Sequence, residues 1–339
     1  MKQWAQTGLL LIFIFLAGCA LQTEESQSDS DADAGNLTDI QFYIPNEDEN
    51  SVSIIDVLSS KVVGEINVGE KPTNLIFDST MRKGFVANQT SSTVGIINTQ
   101  SLKMEEEIEV GPAPHGLALS SDNKTLYVAT VGDQFVDVVD VNEGKVIDKI
   151  DTGSNGKTNY PFLLNGTLYV TDHENGNIYV IDTDTNKTIN TIQVGEIPRV
   201  LKTNKGGSKL YVAVSGEKKI KVYNTTSYEL EDEYLFTVDA TDFVITEDET
   251  KLIVTGLQTS SIEIMDLTTN EIVKKLTNQK GAKHIEFNRK QTKAYITLSG
   301  TDEVAVIDVA TNEEVERIQV GKSPHGIKIK ALPGVGGSC

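Results

Sequence analysis

The chain is poor in residues that define several protein classes. Only two cysteines occur in 339 residues, which excludes a disulfide-stapled secreted scaffold. Basic residues are outnumbered, with 30 Lys and Arg against 49 Asp and Glu, and the formal net charge is −19. Because such a chain repels phosphate, we expect no nucleic-acid partner. Helix is disfavoured as well, since 27 glycines with abundant Val, Ile and Thr favour strands and tight turns.

A short apolar run lies near the N-terminus. Residues 8–16 (GLLLIFIFL) follow the basic residue Lys2 and are too short to span a bilayer comfortably. The run ends in LAGC, residues 16–19, which resembles the bacterial lipobox. This resemblance implies a lipoprotein signal peptide over residues 1–18, lipidation of Cys19, and a protein anchored at the extracytoplasmic face of a bacterial cell membrane. The alternative is an ordinary signal peptide with a chance cysteine.

Both ends of the chain are predicted to lie outside the folded body. Residues 19–38 are rich in Ser, Asp, Glu and Gln and contain no aromatic residue, which predicts a disordered acidic tether. Residues 332–339 (LPGVGGSC) predict a flexible tail. Its Cys339 has no assigned role. One folded domain is expected over residues 39–331.

An internal repeat of 42 residues fills this domain. The first row of the repeat opens a β-branched run and consists of Tyr43, Phe85, Tyr127, Tyr169, Tyr211, Ile253 and Tyr295. The second row ends an apolar run and consists of Asp56, Asn98, Asp140, Asp182, Asn224, Asp266 and Asp308. Because Asp and Asn side chains accept hydrogen bonds from turn N–H groups, the second row predicts a hairpin in every repeat.

Each repeat has room for four short strands. In the third repeat we predict them at residues 115–120, 125–131, 135–141 and 145–152. Four strands per period of this length are typical of a propeller blade, and seven copies predict an all-β, seven-bladed β-propeller. The first repeat lacks its first strand, so we expect the C-terminal strand, residues 325–330, to join blade one and close the ring. A linear β-solenoid is the alternative.

Four segments carry a family resemblance. They are Tyr43–Asn46 (YIPN), Phe85–Asn88 (FVAN), Tyr127–Thr130 (YVAT) and Tyr169–Asp172 (YVTD). With the V-x-V-I-D and V-G-x-x-P strings that follow, they resemble YVTN-repeat β-propellers of bacterial surface proteins over about residues 40–331. The resemblance implies a seven-bladed propeller. It transfers no catalytic position, because the motif residues belong to turns and core, and neighbouring propellers include lactonases, quinoprotein subunits and copper enzymes.

Candidate binding residues follow the G-x-x-P turns. One position per blade at the predicted channel mouth gives Thr73, His115, Lys157, Arg199, Thr241, Lys283 and His325. Five of these seven are basic or can become basic, which predicts a site for a small anion. The expected ligand-binding residues are His115, Lys157, Arg199, Lys283, His325 and Asp242. Solvated loop ends with no ligand are the alternative.

A metal site is a further interpretation of the same face. His115, His284, His325 and His173 would supply imidazole ligands suited to Cu or Zn, although the nearby Lys and Arg would repel a cation. No haem-attachment, metalloprotease, nucleotide or hydrolase motif occurs, so we predict no catalytic residue and no other cofactor.

Three functions follow from these patterns. The first is a monomeric, lipid-anchored binding or interaction module with a small anion or a protein as its partner. The second is an enzyme or redox accessory protein, metal-binding or lactonase-like, that uses the histidine-bearing face. The third is a rigid scaffold for protein partners. Neither the composition nor the repeat pattern distinguishes among these three functions.

Overall fold

The computed structural model describes residue 1, residues 38–153 and residues 155–332. The predicted lipidation site Cys19, almost all of the signal peptide and tether, and Cys339 lie outside the described residues. Across the described ranges, no helix is both long enough and apolar enough to span a bilayer.

The described residues form a seven-bladed β-propeller, as the repeat predicts, with four antiparallel strands in each blade. Blade one contains β1 (Gln41–Asn46), β2 (Ser51–Asp56), β3 (Lys61–Asn67) and the last strand, β28 (Lys328–Lys330). Blade two contains β4 (Pro72–Phe77), β5 (Lys83–Asn88), β6 (Thr93–Asn98) and β7 (Lys103–Glu109). Blade three contains β8 (Pro114–Leu119), β9 (Thr125–Thr130), β10 (Phe135–Asp140) and β11 (Lys145–Asp151).

The remaining four blades repeat this pattern. Blade four contains β12 (Thr158–Leu164), β13 (Thr167–Asp172), β14 (Asn177–Asp182) and β15 (Lys187–Gln193). Blade five contains β16 (Pro198–Thr203), β17 (Lys209–Val214), a 3-10 turn (Ser215–Glu217), β18 (Lys219–Asn224) and β19 (Leu230–Leu235). Blade six contains β20 (Ala240–Ile245), β21 (Lys251–Gly256), β22 (Ser261–Asp266) and β23 (Glu271–Leu276). Blade seven contains β24 (Ala282–Phe287), β25 (Lys293–Leu298), β26 (Glu303–Asp308) and β27 (Glu313–Gln319).

The two repeat rows have the roles that the sequence predicts. All seven members of the first row are buried, and they pack in the cores between blades. The second row ends the third strand of every blade and binds the following turn. Asp56 Oδ1, for example, accepts from the backbone N–H of Ser59 at 2.8 Å, and Asp308 Oδ1 accepts from that of Thr311 at 2.8 Å. These bonds fix the hairpin that leads to each outer strand.

The C-terminal strand closes the ring, as predicted. β28 pairs antiparallel with β1 through Tyr43↔Lys328, Phe42↔Ile329 and Gln41↔Lys330, so it is the innermost strand of blade one. It is shorter than the predicted 325–330. The reason is an interruption in the ladder: His325 N–H still donates to the carbonyl of Pro45 in β1 at 2.9 Å, but Gly326 N–H donates to the carbonyl of Thr73 in blade two at 2.9 Å.

Candidate functional site

A β-bulge at the start of the innermost strands positions the mouth residues. The register between first and second strands shifts after Pro72, Pro114, Thr158, Pro198, Ala240 and Ala282. A bulge leaves one or two residues without a backbone partner on the neighbouring strand and changes the direction of their side chains. His115, Arg199 and Lys283 lie in these bulges. A G-x-x-P turn precedes His115 and Arg199, whereas Lys283 follows the sequence QKGA.

The mouth encloses a small cavity. It measures about 50 Å³ and is lined by His115, Asn159, Arg199, Val200, Thr241, Leu257, Lys283, His284 and His325. We call this space the mouth cavity. It brings together four of the six predicted ligand-binding residues, namely His115, Arg199, Lys283 and His325.

Three histidines meet at the centre of the mouth. The Nε2 atoms of His115 and His325 lie 3.2 Å apart, and their ring centroids are 5.1 Å apart in an edge-on arrangement. His284 stacks on His325 with centroids 5.1 Å apart and an interplanar angle of 27°. Because blades one, three and seven supply these rings, the contacts cross the channel and narrow it.

Burial and neighbouring positive charge keep His115 and His325 neutral. Burial lowers the pKa of His115 well below its usual range, and the other two histidines and Arg199 lower it further. For His325, burial is again the main cause of a much lowered pKa, followed by the positive charge of Lys283. One neutral imidazole can donate its N–H to the unprotonated nitrogen of the other, which agrees with the 3.2 Å separation of the two Nε2 atoms.

Glu47 neutralises one cation of the mouth. Lys283 Nζ lies 2.6 Å from Glu47 Oε1, and both side chains are mostly buried. His325 Nδ1 contacts the same carboxylate oxygen. Glu47 follows β1 in the loop between the second and third strands of blade one. Glu47 is not among the residues that the sequence predicts for this site.

Arg199 is the mouth cation without a counter-ion. Its Nε is buried and has no hydrogen-bond partner, and among the described residues no carboxylate lies within ion-pair distance of its guanidinium. Burial lowers the pKa of Arg199, and the charge of Asp239 offsets part of this effect. Arginine stays protonated in proteins, so the mouth holds a partly buried positive charge whose N–H groups can donate to a ligand.

Asp242 lies below the mouth and holds His284. Its Oδ2 is 2.9 Å from His284 Nδ1, and its Oδ1 is 3.0 Å from Lys202 Nζ. The backbone N–H groups of Phe243 and Ile285 donate to the same carboxylate at 2.6 and 3.2 Å. Burial would raise the pKa of Asp242, but the charge of Lys202 and the bond to His284 lower it overall. Asp242 is therefore a buried anion with every lone pair occupied.

Lys157 lies outside the mouth cavity. Its side chain is exposed and pairs with Glu174 at 2.9 Å. The cause is a two-residue offset in blade four, where Thr158 pairs with Asp172 in the way that Pro114 pairs with Thr130 in blade three. A tight Asn165-Gly166 turn, with positive φ at both residues, restores the period.

Asn159 therefore occupies the position that corresponds to His115, and it lines the cavity. The Asn-Gly pair between two apolar runs is the sequence signal that reveals this offset.

The four histidines of the metal interpretation do not all meet. His173 lies near Glu174, with Nε2 3.8 Å from Oε1, and its Nδ1 is buried without a partner. Burial lowers its pKa. Among the described residues no group of three His, Cys, Asp or Glu side chains has the arrangement of a metal site. His115, His284 and His325 are the only members of the predicted set that contact one another in the described chain.

Comparison with known proteins agrees with this architecture. A family model described as YNCE-like beta-propeller matches residues 36–332. The chain belongs to this family. Among curated proteins, none matches it.

Solved structures share the fold at low sequence identity. Periplasmic gluconolactonase of Pseudomonas aeruginosa aligns with TM-score 0.73 and 15% identity, covering 87% of this chain and 99% of that chain. A Lactobacillus plantarum protein aligns with TM-score 0.74 and 12% identity, covering 86% and 99%. The dihydro-heme d1 dehydrogenase NirN aligns with TM-score 0.65 and 15% identity, covering 89% and 76%. These likenesses concern the fold alone.

Proposed function

We propose that this propeller is a binding module that holds a small anion, a carboxylate or an oxyanion, in the mouth cavity. The observation that carries the proposal is Arg199, a partly buried guanidinium with a buried, unpartnered Nε and no carboxylate within ion-pair distance among the described residues. A bound anion would supply the missing counter-charge and accept charge-assisted hydrogen bonds. The cavity volume of about 50 Å³ favours a carboxylate or a small oxyanion over a larger group.

The neutral histidines suit such a ligand. His115 can turn its N–H from His325 Nε2 toward a bound oxygen without adding charge, and Lys283 Nζ lies 3.3 Å from His325 Nδ1. The predicted lipid anchor at Cys19 belongs to the same proposal, because it would hold the module at the extracytoplasmic membrane surface. The protein would then meet solutes or partners from outside the cell.

Thermal-shift measurements with acetate, inorganic phosphate and sulfate test the anion site. An anion that binds only the folded protein raises Tm. Arg199→Met keeps the aliphatic bulk and removes the charge, so we expect it to abolish the shift and weaken binding by about 1.5–3 kcal/mol. Lys157→Met is the matched control, because Lys157 is exposed and already paired with Glu174. Equal shifts in both variants, or no shift in the native protein, would contradict the proposal.

Acid–base chemistry on the bound anion is the second candidate. The Asp242 carboxylate binds His284 Nδ1 at 2.9 Å, which leaves Nε2 of this ring to act as a general base. A structural neighbour is named a gluconolactonase, so hydrolysis of D-glucono-1,5-lactone is the activity to assay. We expect His284→Gln to remove turnover while anion binding at Arg199 persists. Identical rates for the native protein and this variant would reject the enzymatic candidate.

A further inference from the structure

A second cavity lies deeper in the channel, and its two walls differ in chemistry. It measures about 180 Å³ and shares His284 with the mouth cavity. We call it the inner cavity. Blades two to four line it mainly with apolar and aromatic side chains, Leu75, Ile76, Leu117, Tyr160 and Phe162, together with the amide of Asn74. Blades five to seven and blade one supply the charged side chains, Lys202, Asp242, Glu286 and Lys328, alongside the apolar Leu201, Ile285 and Ile327.

One of the two ion pairs on the charged wall has unused hydrogen-bonding capacity. Lys202 Nζ is saturated, because it donates to Asp242 and to the carbonyls of Phe243 and Ile285 at 2.5 and 3.2 Å. Lys328 Nζ instead contacts Glu286 Oε2 alone among the described residues, at 3.1 Å. An ammonium carries three N–H groups and a carboxylate accepts about four hydrogen bonds, so this pair can both donate and accept further.

Tyr160 adds a hydroxyl on the opposite side. Its ring packs against a core cluster of blades four and five, and the described residues give its hydroxyl no hydrogen-bond partner. Burial raises its pKa, and the charges of Asp242 and Glu286 raise it further, so the hydroxyl keeps its proton. It can therefore donate to a ligand and accept from it.

We propose that the inner cavity binds a neutral polyhydroxylated ring of monosaccharide size. Hydroxyl groups both donate and accept, so they match a wall that presents Glu286, Lys328 and the Tyr160 hydroxyl together. The C–H face of such a ring fits against the aromatic surface of Tyr160 and Phe162. Because each charge on this wall has an opposite partner, a neutral ligand meets no uncompensated charge.

The size of the cavity agrees with a single ring. An engineered protein cavity of roughly 150 Å³ holds benzene, so about 180 Å³ leaves room for one six-membered ring with some of its substituents. This site does not depend on the anion site, since Arg199 lines the mouth cavity and not the inner one.

Isothermal titration of the full-length protein with D-glucose, D-galactose and D-xylose tests the site. We expect at least one of these pyranoses to bind, and Glu286→Gln and Tyr160→Phe to weaken that binding about tenfold each. The matched control is Glu313→Gln, which breaks a surface pair with Lys274 at 2.6 Å and should leave binding unchanged. Arg199→Met should also leave it unchanged, which separates this proposal from the anion site.

Three results would overturn the proposal. The first is no binding of any of the three pyranoses at about 100 mM, far above a Kd of about 1 mM. The second is binding that neither Glu286→Gln nor Tyr160→Phe affects, with both variants folded as judged by Tm. The third is phenol binding at least as tightly as the pyranoses, which would assign the cavity to an apolar ring.

Discussion

Burial makes the charge of His115 and His325 sensitive to the contents of the mouth. Each ring is neutral because burial, nearby cations and the other imidazoles disfavour its protonated form. An anion bound at Arg199 would oppose these effects and raise both pKa values. Anion binding is therefore expected to strengthen as the pH falls toward the pKa values of these rings.

The same residues predict how folding stability depends on pH. Both pKa values are lowered in the folded protein, so the unfolded chain binds more protons below its histidine pKa of about 6.5. Above that pH the two histidines do not reduce the free energy of unfolding. As the pH falls toward their pKa values in the folded protein, the free energy of unfolding decreases. The free energy of unfolding decreases by at most about 1.4 kcal/mol per pH unit for each histidine.

Denaturant unfolding of the His115→Gln/His325→Gln variant from about pH 7 to about pH 5 measures this contribution. We expect its stability to decrease less over that range than the native protein's, because the carboxylates contribute equally in both chains. Burial also lowers the pKa of His173, so His173→Gln gives the size of this effect for one histidine outside the mouth cavity. If the free energy of unfolding depends on pH in the same way for the double variant and the native protein, the two rings titrate freely in the folded state, which would contradict this prediction.

At the scale of elements, much could be predicted from local chemistry. The Asp and Asn row ends the third strand of each blade because its side chains bind the next turn, and the aromatic row is buried because its strands lie between blades. Both interactions depend on residues close in sequence or on strand periodicity. The column that contains His115, Arg199, Lys283 and His325 follows from the same repeat.

Other parts of the site depend on contacts that no local pattern encodes. The pairs Glu47 with Lys283 and Asp242 with Lys202 join different blades, so their partners lie far apart in the sequence. The structure places Lys157 outside the mouth cavity because a constant period of 42 conceals two changes in blade four. The first strand starts two residues later, and the tight Asn165-Gly166 turn restores the period. A repeat predicts a position well only where every turn keeps its length.

The closing strand offers a test at this scale. Deleting residues 325–339 removes β28 and Ile327, and it exposes β1 together with the rest of the apolar cluster that contains Phe42 and Ile44. We expect the free energy of unfolding to decrease by several kcal/mol, about 25 cal/mol for each Å² of apolar surface exposed. Deleting residues 333–339 leaves every described strand in place and is the control. Equal stability of the two truncated chains, measured by denaturant unfolding, would show that β28 contributes little to closure.

For the molecule as a whole, the charge distribution is the feature that bears on binding. The chain carries a net charge of −19, yet its mouth cavity contains the cation Arg199, which no described carboxylate pairs with. An acidic body repels anions at a distance, so the proposed binding at the mouth would depend on short-range hydrogen bonds in a partly buried space. The proposed site would therefore select a small anion by the fit of these hydrogen bonds.

The most direct measurement of the anion site follows the Nε–H groups of arginine by NMR. The chain has four arginines, Arg82, Arg199, Arg289 and Arg317, and the spectrum of the Arg199→Met variant identifies the Arg199 signal. On titration with acetate we predict a saturable shift of that signal, while the signals of the other three arginines stay in place. No shift at Arg199, or an equal and unsaturable shift of all four signals, would contradict anion binding at the mouth.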